Sequence, residues 1–178
     1  MNALIHRIRY FLFSKKLSAL IPGAVTREMI NLTKAKSIGI VYDATDIVSD
    51  HAVNDFAEYL RKANKEVDII GYIGNAKKDQ VVAEFKFTNR DIAWNYIPQT
   101  PMVDQFVAKA FDILICLNTA PSAPLEYIAA MSHARFRVGK YFPSQEKHFE
   151  WMINDEQGRD IDYLIRQVRT FLTKLKTA

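Results

Sequence analysis

Cysteine is almost absent from this 178-residue chain: Cys116 stands alone. An intrachain disulfide is therefore impossible and a thiolate metal cluster is excluded, which fits a reducing, cytoplasmic compartment. Glycine is sparse as well. Neither G-x-G-x-x-G nor G-x-x-x-x-G-K-[ST] occurs, so both common nucleotide fingerprints are missing. His6, His51, His133 and His148 are scattered, none four residues from another, which argues against zinc. No apolar run approaches the roughly 20 residues a membrane-spanning helix needs. Nothing here calls for a cofactor or a metal.

Acid is lacking locally. Residues 1–36 carry seven Lys and Arg against Glu28 alone, and the last thirteen residues carry four with no acid. The overall charge is only +4, so the middle of the chain is mildly acidic and the ends are basic. Basic ends suit an anionic surface such as RNA or lipid headgroups; they also serve plain solubility.

What is present is a strong alternation of apolar periods. In residues 1–20, Leu4, Ile5, Ile8, Phe11 and Leu12 share one face at helical spacing, with Arg7 and Arg9 mostly opposite. The pattern predicts a basic amphipathic helix of about three turns. It degrades where Phe13, Leu17 and Leu20 fall on the other side, and Pro22-Gly23 punctuates it. The Leu4, Ile8 and Leu12 stripe is expected to dock on a surface, to pack on the body or to pair between subunits. We read residues 1–36 as a basic helical extension and 37–178 as a single α/β domain.

The body opens with "SIGIVYD", β-branched and nearly all apolar, as a buried parallel strand should be. A helix capped by Ser49 and closed by Asn64 follows, then a strand over 66–73, which completes a βαβ unit. Strands over 81–87 and 91–97, or one strand and a loop, are both compatible with the less regular stretch 74–100. Thr100-Pro101 starts a helix. Strands over 112–117, 134–138 and 149–153, a helix over 123–131 and a terminal helix capped by Asp160 complete the pattern. The expectation is a three-layer Rossmann-like or flavodoxin-like sandwich with a mainly parallel sheet of about five strands.

Open α/β sheets bind ligands at the C-terminal ends of their strands. That singles out Asp43, Thr45 and Asp46 in "YDATD" and Asn118, Thr119 and Ser122 in "NTAPSAP". Carboxylates so placed could hold Mg²⁺ or a sugar hydroxyl; equally, they satisfy turn amides and cap a helix. The second turn is poorly suited to phosphate. It has no glycine, and its two prolines lack N–H donors. Ser122 would occupy another donor as a cap, and Glu126 would repel an anion. In "ARFRVGK", Arg135 and Arg137 alternate with Phe136 and Val138, which suggests an added basic face or a protected edge strand. Cys116, within an apolar strand, is expected to be inert.

The stretch "FDILICLNTAPSAPLEYIAAMSHARFRVG", with "SIGIVYD" and "DIAWNYIP", resembles a family of small bacterial α/β proteins of uncharacterised function, over about residues 37–140. The order Ser122-Ala123, Leu125, Ala134-Arg135, Arg137 and Gly139 also resembles the N-terminal domain of heptosyltransferase-like glycosyltransferases. That resemblance implies nucleotide-sugar chemistry, but Cys116 stands where those enzymes often have Asp, and they need a second lobe. The leading expectation is a non-enzymatic binding or adaptor protein whose N-terminal helix docks on RNA or the ribosome, a membrane surface or a partner protein. Arg7, Arg9, Lys15 and Lys16 would supply the charge. The alternative is a nucleotide- or nucleotide-sugar-binding enzyme half using the crevice; self-association is a third possibility.

Overall fold

The structure, a computed structural model, describes residues 3–21, 23, 25–77, 82–155, 157–158 and 160–176. Its elements run α1 (Ala3–Leu20), β1 (Ser37–Asp43), α2 (Ile47–Lys62), β2 (Glu66–Ile73), β3 (Lys86–Thr88), α3 (Pro101–Ala108), β4 (Ile113–Leu117), α4 (Ala123–Met131), β5 (Phe136–Lys140), β6 (Trp151–Ile153) and α5 (Ile161–Lys174). Two 3-10 turns, Asn89–Asp91 and Pro143–His148, complete the list. The six strands form one sheet in the order β3-β2-β1-β4-β5-β6. Every pairing in it is parallel. The sheet has one strand more than expected. The chain winds outward from β1 in one direction, then returns and winds outward from β4 in the other, so the order reverses between β1 and β4.

Side chains alternate across a strand, and the two faces have separate cores. Ile38, Ile40 and Tyr42 of β1 and Ile113, Ile115 and Leu117 of β4 face α2 and α5. Val41, Leu114 and Cys116 face α3, α4 and α1. Burial on both faces is why these strands read as nearly continuous apolar runs. One close approach demands glycine: a Cβ on Gly71 would lie 2.9 Å from that of Ala44.

Several boundaries moved for local reasons. Asp46, not Ser49, caps α2: its carboxylate accepts the Ser49 amide at 2.8 Å, so the helix starts earlier and leaves Ile47 and Val48 exposed. Asn64 does close that helix, in the left-handed region at φ 59°. Among the described residues of the stretch 74–100, the one strand is the three-residue β3. Thr88 and Asp91 then form a reciprocal capping box, and 92–98 is a tight turn closed by an Ile92–Pro98 bridge. Val81, at the start of the expected strand, and Pro22 lie outside the described residues.

The basic face expected of "ARFRVGK" is overturned. Its strand, β5, lies inside the sheet, between β4 and β6. Arg137 is buried, with its guanidinium 2.7 Å from Glu150 and a further bond to the Ala129 carbonyl at 3.2 Å. Arg135 bridges Asp112 and Glu28. Residues 25–36 are also packed down: Ile30, Leu32 and Ala35 join the α2–α5 core, and the Leu32 amide donates to the Leu172 carbonyl at 3.0 Å.

Candidate functional site

Helix α1 has no polar face. At 3.6 residues per turn, Phe13 and Leu17 lie on one side, and Leu4, Ile8 and Phe11 lie opposite, with Ile5 and Leu12 beside them. Phe13 and Leu17 are fully buried in the α3–α4 core. Leu4, Ile5, Ile8 and Phe11 are half or more exposed, Phe11 at 66%. Of the three expectations for Leu4, Ile8 and Leu12, packing on the body is therefore overturned. The body takes the aromatic side, where Phe13, beside Tyr10 of its own helix, meets the Tyr96 ring edge-on at 6.4 Å.

The inner side is pinned by polar bonds. The Tyr10 hydroxyl donates to Glu126 at 2.9 Å. Arg9 donates to the Trp94 carbonyl and stacks 4.1 Å over the Tyr96 ring, so this expected surface cation is turned inward. The Tyr96 hydroxyl lies 2.6 Å from His6 Nδ1. Tyr96 itself has φ 65°, a strained setting for an aromatic residue. Such strain persists only where the surroundings hold it; here the holders are His6, Arg9 and Phe13 of α1 and the turn's own bond from the Tyr96 amide to the Ala93 carbonyl at 3.0 Å. Arg7, Lys15 and Lys16 flank or interrupt the outward stripe, and no acid occurs on the helix.

Beside this stripe, α1 and the 92–98 turn enclose an open groove of about 500 Å³. Leu12, Ala19 and Trp94 form its apolar walls, Lys15 and Lys16 its basic rim, and Asn95 its polar end. Asn95 is buried at 8% exposure, yet its Oδ1 accepts no hydrogen bond. Trp94 is 63% exposed.

A second cavity, about 220 Å³, lies on the other side of α1. Its lining includes Tyr10, Ser122, Glu126 and Gln145. The Glu126 carboxylate is buried and also accepts from Gln145 at 3.3 Å. Behind it His148 is wholly buried, its Nε2 3.5 Å from Glu126. That contact is an ion-pair distance without hydrogen-bond geometry, and Nδ1 also lacks a partner. Burial, with Glu126 beside it, pushes the Tyr10 phenol up. The sequence signal for this cluster was one acid inside an otherwise apolar helix, "APLEYIAAM".

Asp43 ends β1 and Asn118 follows the neighbouring strand β4 at the reversal, and four of the six crevice residues, Asp43, Thr45, Asp46 and Asn118, are bonded to the backbone. Asp43 accepts the Thr45 amide at 2.9 Å, and Thr45 Oγ1 accepts the Gly74 amide at 3.0 Å. Asn118 closes its own turn onto the Ala120 carbonyl at 2.8 Å, and Thr119 is exposed. Ser122 starts α4 without a side-chain cap bond, contrary to expectation; Pro124 at the second helical position has no N–H to offer it. Cys116 is buried, and burial pushes its thiol up to about 12. Among the described residues no group of three or more His, Cys, Asp or Glu could hold a metal, and no helix is long and apolar enough to cross a membrane.

The chain matches a family of unknown function, DUF6913, over residues 9–175. It belongs to that family. The DUF6913 match begins within α1 and runs to the end of α5, so it takes in Tyr10, Phe13 and Leu17, the 92–98 turn and all but His6 of the two cavity linings. No curated protein and no solved structure matches the chain.

Proposed function

We propose that this protein is a non-enzymatic binding protein that attaches to an anionic membrane surface through the outward face of α1. The observation that carries the reading is the exposed row of Leu4, Ile5, Ile8 and Phe11, flanked by cations with no acid on the helix. Contiguous exposed apolar patches on soluble proteins mark interaction sites. A helix lying in a bilayer interface needs both an apolar stripe and flanking Lys or Arg. RNA would draw on the cations but has no use for four exposed aliphatic and aromatic side chains. A symmetric pairing of two copies would bring like charges together. The inner bonds to Trp94, Tyr96 and Glu126 hold the helix so that the stripe stays presented.

The test is cosedimentation with phosphatidylcholine vesicles with and without phosphatidylglycerol, with RNA binding and sizing chromatography measured alongside. Binding is expected only to the anionic vesicles. Replacing Arg7, Lys15 and Lys16 by Gln should cost about 1 kcal/mol per charge, a combined loss on the order of a hundredfold. RNA binding without vesicle binding, or a dimer that buries Phe11, would overturn the lipid reading.

A second reading is favoured by the strand order alone. A doubly wound, Rossmann-like sheet offers a nucleotide or nucleotide sugar the crevice at the β1–β4 reversal. In that case a nucleotide would raise the melting temperature, and Asp43→Ala would abolish the rise. A flat response to a nucleotide panel removes this reading.

A further inference from the structure

Trp94 is the one exposed residue of the 92–98 turn; its neighbours there are buried or half-buried. A single exposed apolar residue means little by itself, but this one has a particular place. With Leu12 and Ala19 it walls the groove that Lys15 and Lys16 rim. At 3.6 residues per turn, Leu4, Ile8, Leu12, Lys15 and Ala19 follow one another along one side of α1. The groove therefore continues the outward row instead of opening on another face. Arg9 bonds the Trp94 carbonyl, and Tyr96 contacts His6, Arg9 and Phe13, so the turn is tied to the helix. The indole is held beside the apolar row.

Tryptophan has a distinct place in a bilayer. Its ring is apolar and its N–H is polar, so it settles at the boundary between headgroups and chains. A lysine beside it buries its stem and keeps its ammonium at the phosphates. The 92–98 turn carries no charged residue and α1 carries no acid, so neither element repels an anionic headgroup. We infer that Trp94 is a second membrane anchor, seated at the headgroup boundary with Lys15 and Lys16 while Leu4, Ile5, Ile8 and Phe11 insert beside it. A helix alone leaves the body free to roll about the helix axis; a second contact beside it does not. Trp151, stacked on Phe171 at 3.4 Å against the α2–α5 core, then stays on the far side of the sheet from the bilayer. The inference rests on the membrane-docking reading and adds the orientation of the body to it.

The experiment follows tryptophan emission and binding together, on phosphatidylcholine vesicles containing phosphatidylglycerol. The chain has two tryptophans. On binding, native emission should shift to the blue, and bromine near the headgroup end of the lipid chains should quench it more than bromine near their methyl ends. Trp94→Tyr keeps an interfacial aromatic residue, so it should bind nearly as tightly as the native chain. Its remaining Trp151 should neither shift nor be quenched. Trp94→Ser should bind roughly tenfold more weakly, the effect of losing one partly buried aromatic ring, with an unchanged melting temperature. Native affinity in Trp94→Ser would overturn the anchor and leave docking by α1 standing. Native emission that no brominated lipid quenches would do the same, even where Trp94→Ser weakens binding, because Trp94 would then act only by holding the turn. Stronger quenching from the methyl ends would overturn the depth assigned to the indole, and quenching of Trp151 would overturn the orientation. Quenching by single-stranded RNA with none by lipid would replace the bilayer by base stacking. Absence of native binding to the vesicles would overturn docking itself.

Discussion

Asp112 shows how much one carboxylate contributes at the residue scale. It ends the loop before β4, and its Oδ2 accepts the amides of Lys36 and Ser37 at 2.7 and 3.2 Å. Arg135 bonds the other oxygen at 3.1 Å. Partial burial works to raise its pKa, but these three donors outweigh it and hold the carboxyl below its usual range. A depressed folded pKa contributes stability that is complete above the unfolded value, near 4, and is lost as pH falls through the folded value. Asp112→Asn should cost about 1–3 kcal/mol at neutral pH. Its urea midpoint should then fall less steeply than that of the native protein as the solution is acidified below about pH 5. A native midpoint that falls no faster than the variant's would show that this cluster carries no net stability.

At the scale of the element, α1 separates what stabilises from what binds. Phe13 is fully buried and Phe11 is 66% exposed, two residues apart on one helix. Truncating a buried Phe typically costs about 3–5 kcal/mol, whereas exposed substitutions stay within about 0.5 kcal/mol. Phe13→Ala should therefore lower the denaturant midpoint sharply, with Phe11→Ser leaving it almost unchanged and weakening vesicle binding instead. The opposite ranking would mean that the helix packs by its other face. Periodicity singled out the stripe that the structure leaves exposed, but it missed the inner face, because it counts apolar residues and cannot see shape. Five residues make up the outward stripe; the inner side has Tyr10, Phe13 and Leu17, but those meet a matching aromatic pocket. The same limit applies to Glu126 and His148, 22 positions apart in sequence, which only the packing of α4 against the Pro143–His148 turn brings within 3.5 Å.

Across the whole molecule, the layered α/β class and most of the elements were legible beforehand. β1 and β2 fall where the alternation of β-branched runs placed them, and Thr100-Pro101 and Asp160 start the helices they were expected to start. The stretch 74–100 was not legible, because β3 is three residues long and the described residues after it are held by side-chain caps and by α1 rather than by a period of their own. The surface charge was legible only as a total. Arg9 and Arg135 look alike in sequence to Lys15 and Lys16, but the first pair is tied to the body by Trp94, Glu28 and Asp112.

By itself, the amino-acid sequence determined the number and kind of most of the elements, the two-sided burial of the central strands and the absence of disulfide chemistry. These follow from backbone period, side-chain branching and residue inventory, all of which are local to the chain. Only the tertiary structure decided the order β3-β2-β1-β4-β5-β6, the burial of Arg137, the unpartnered acceptor of Asn95 and the direction in which α1 turns its stripe. Those outcomes depend on which distant surfaces fit and which polar groups find partners, and a helix with two apolar faces carries no local instruction for choosing between them.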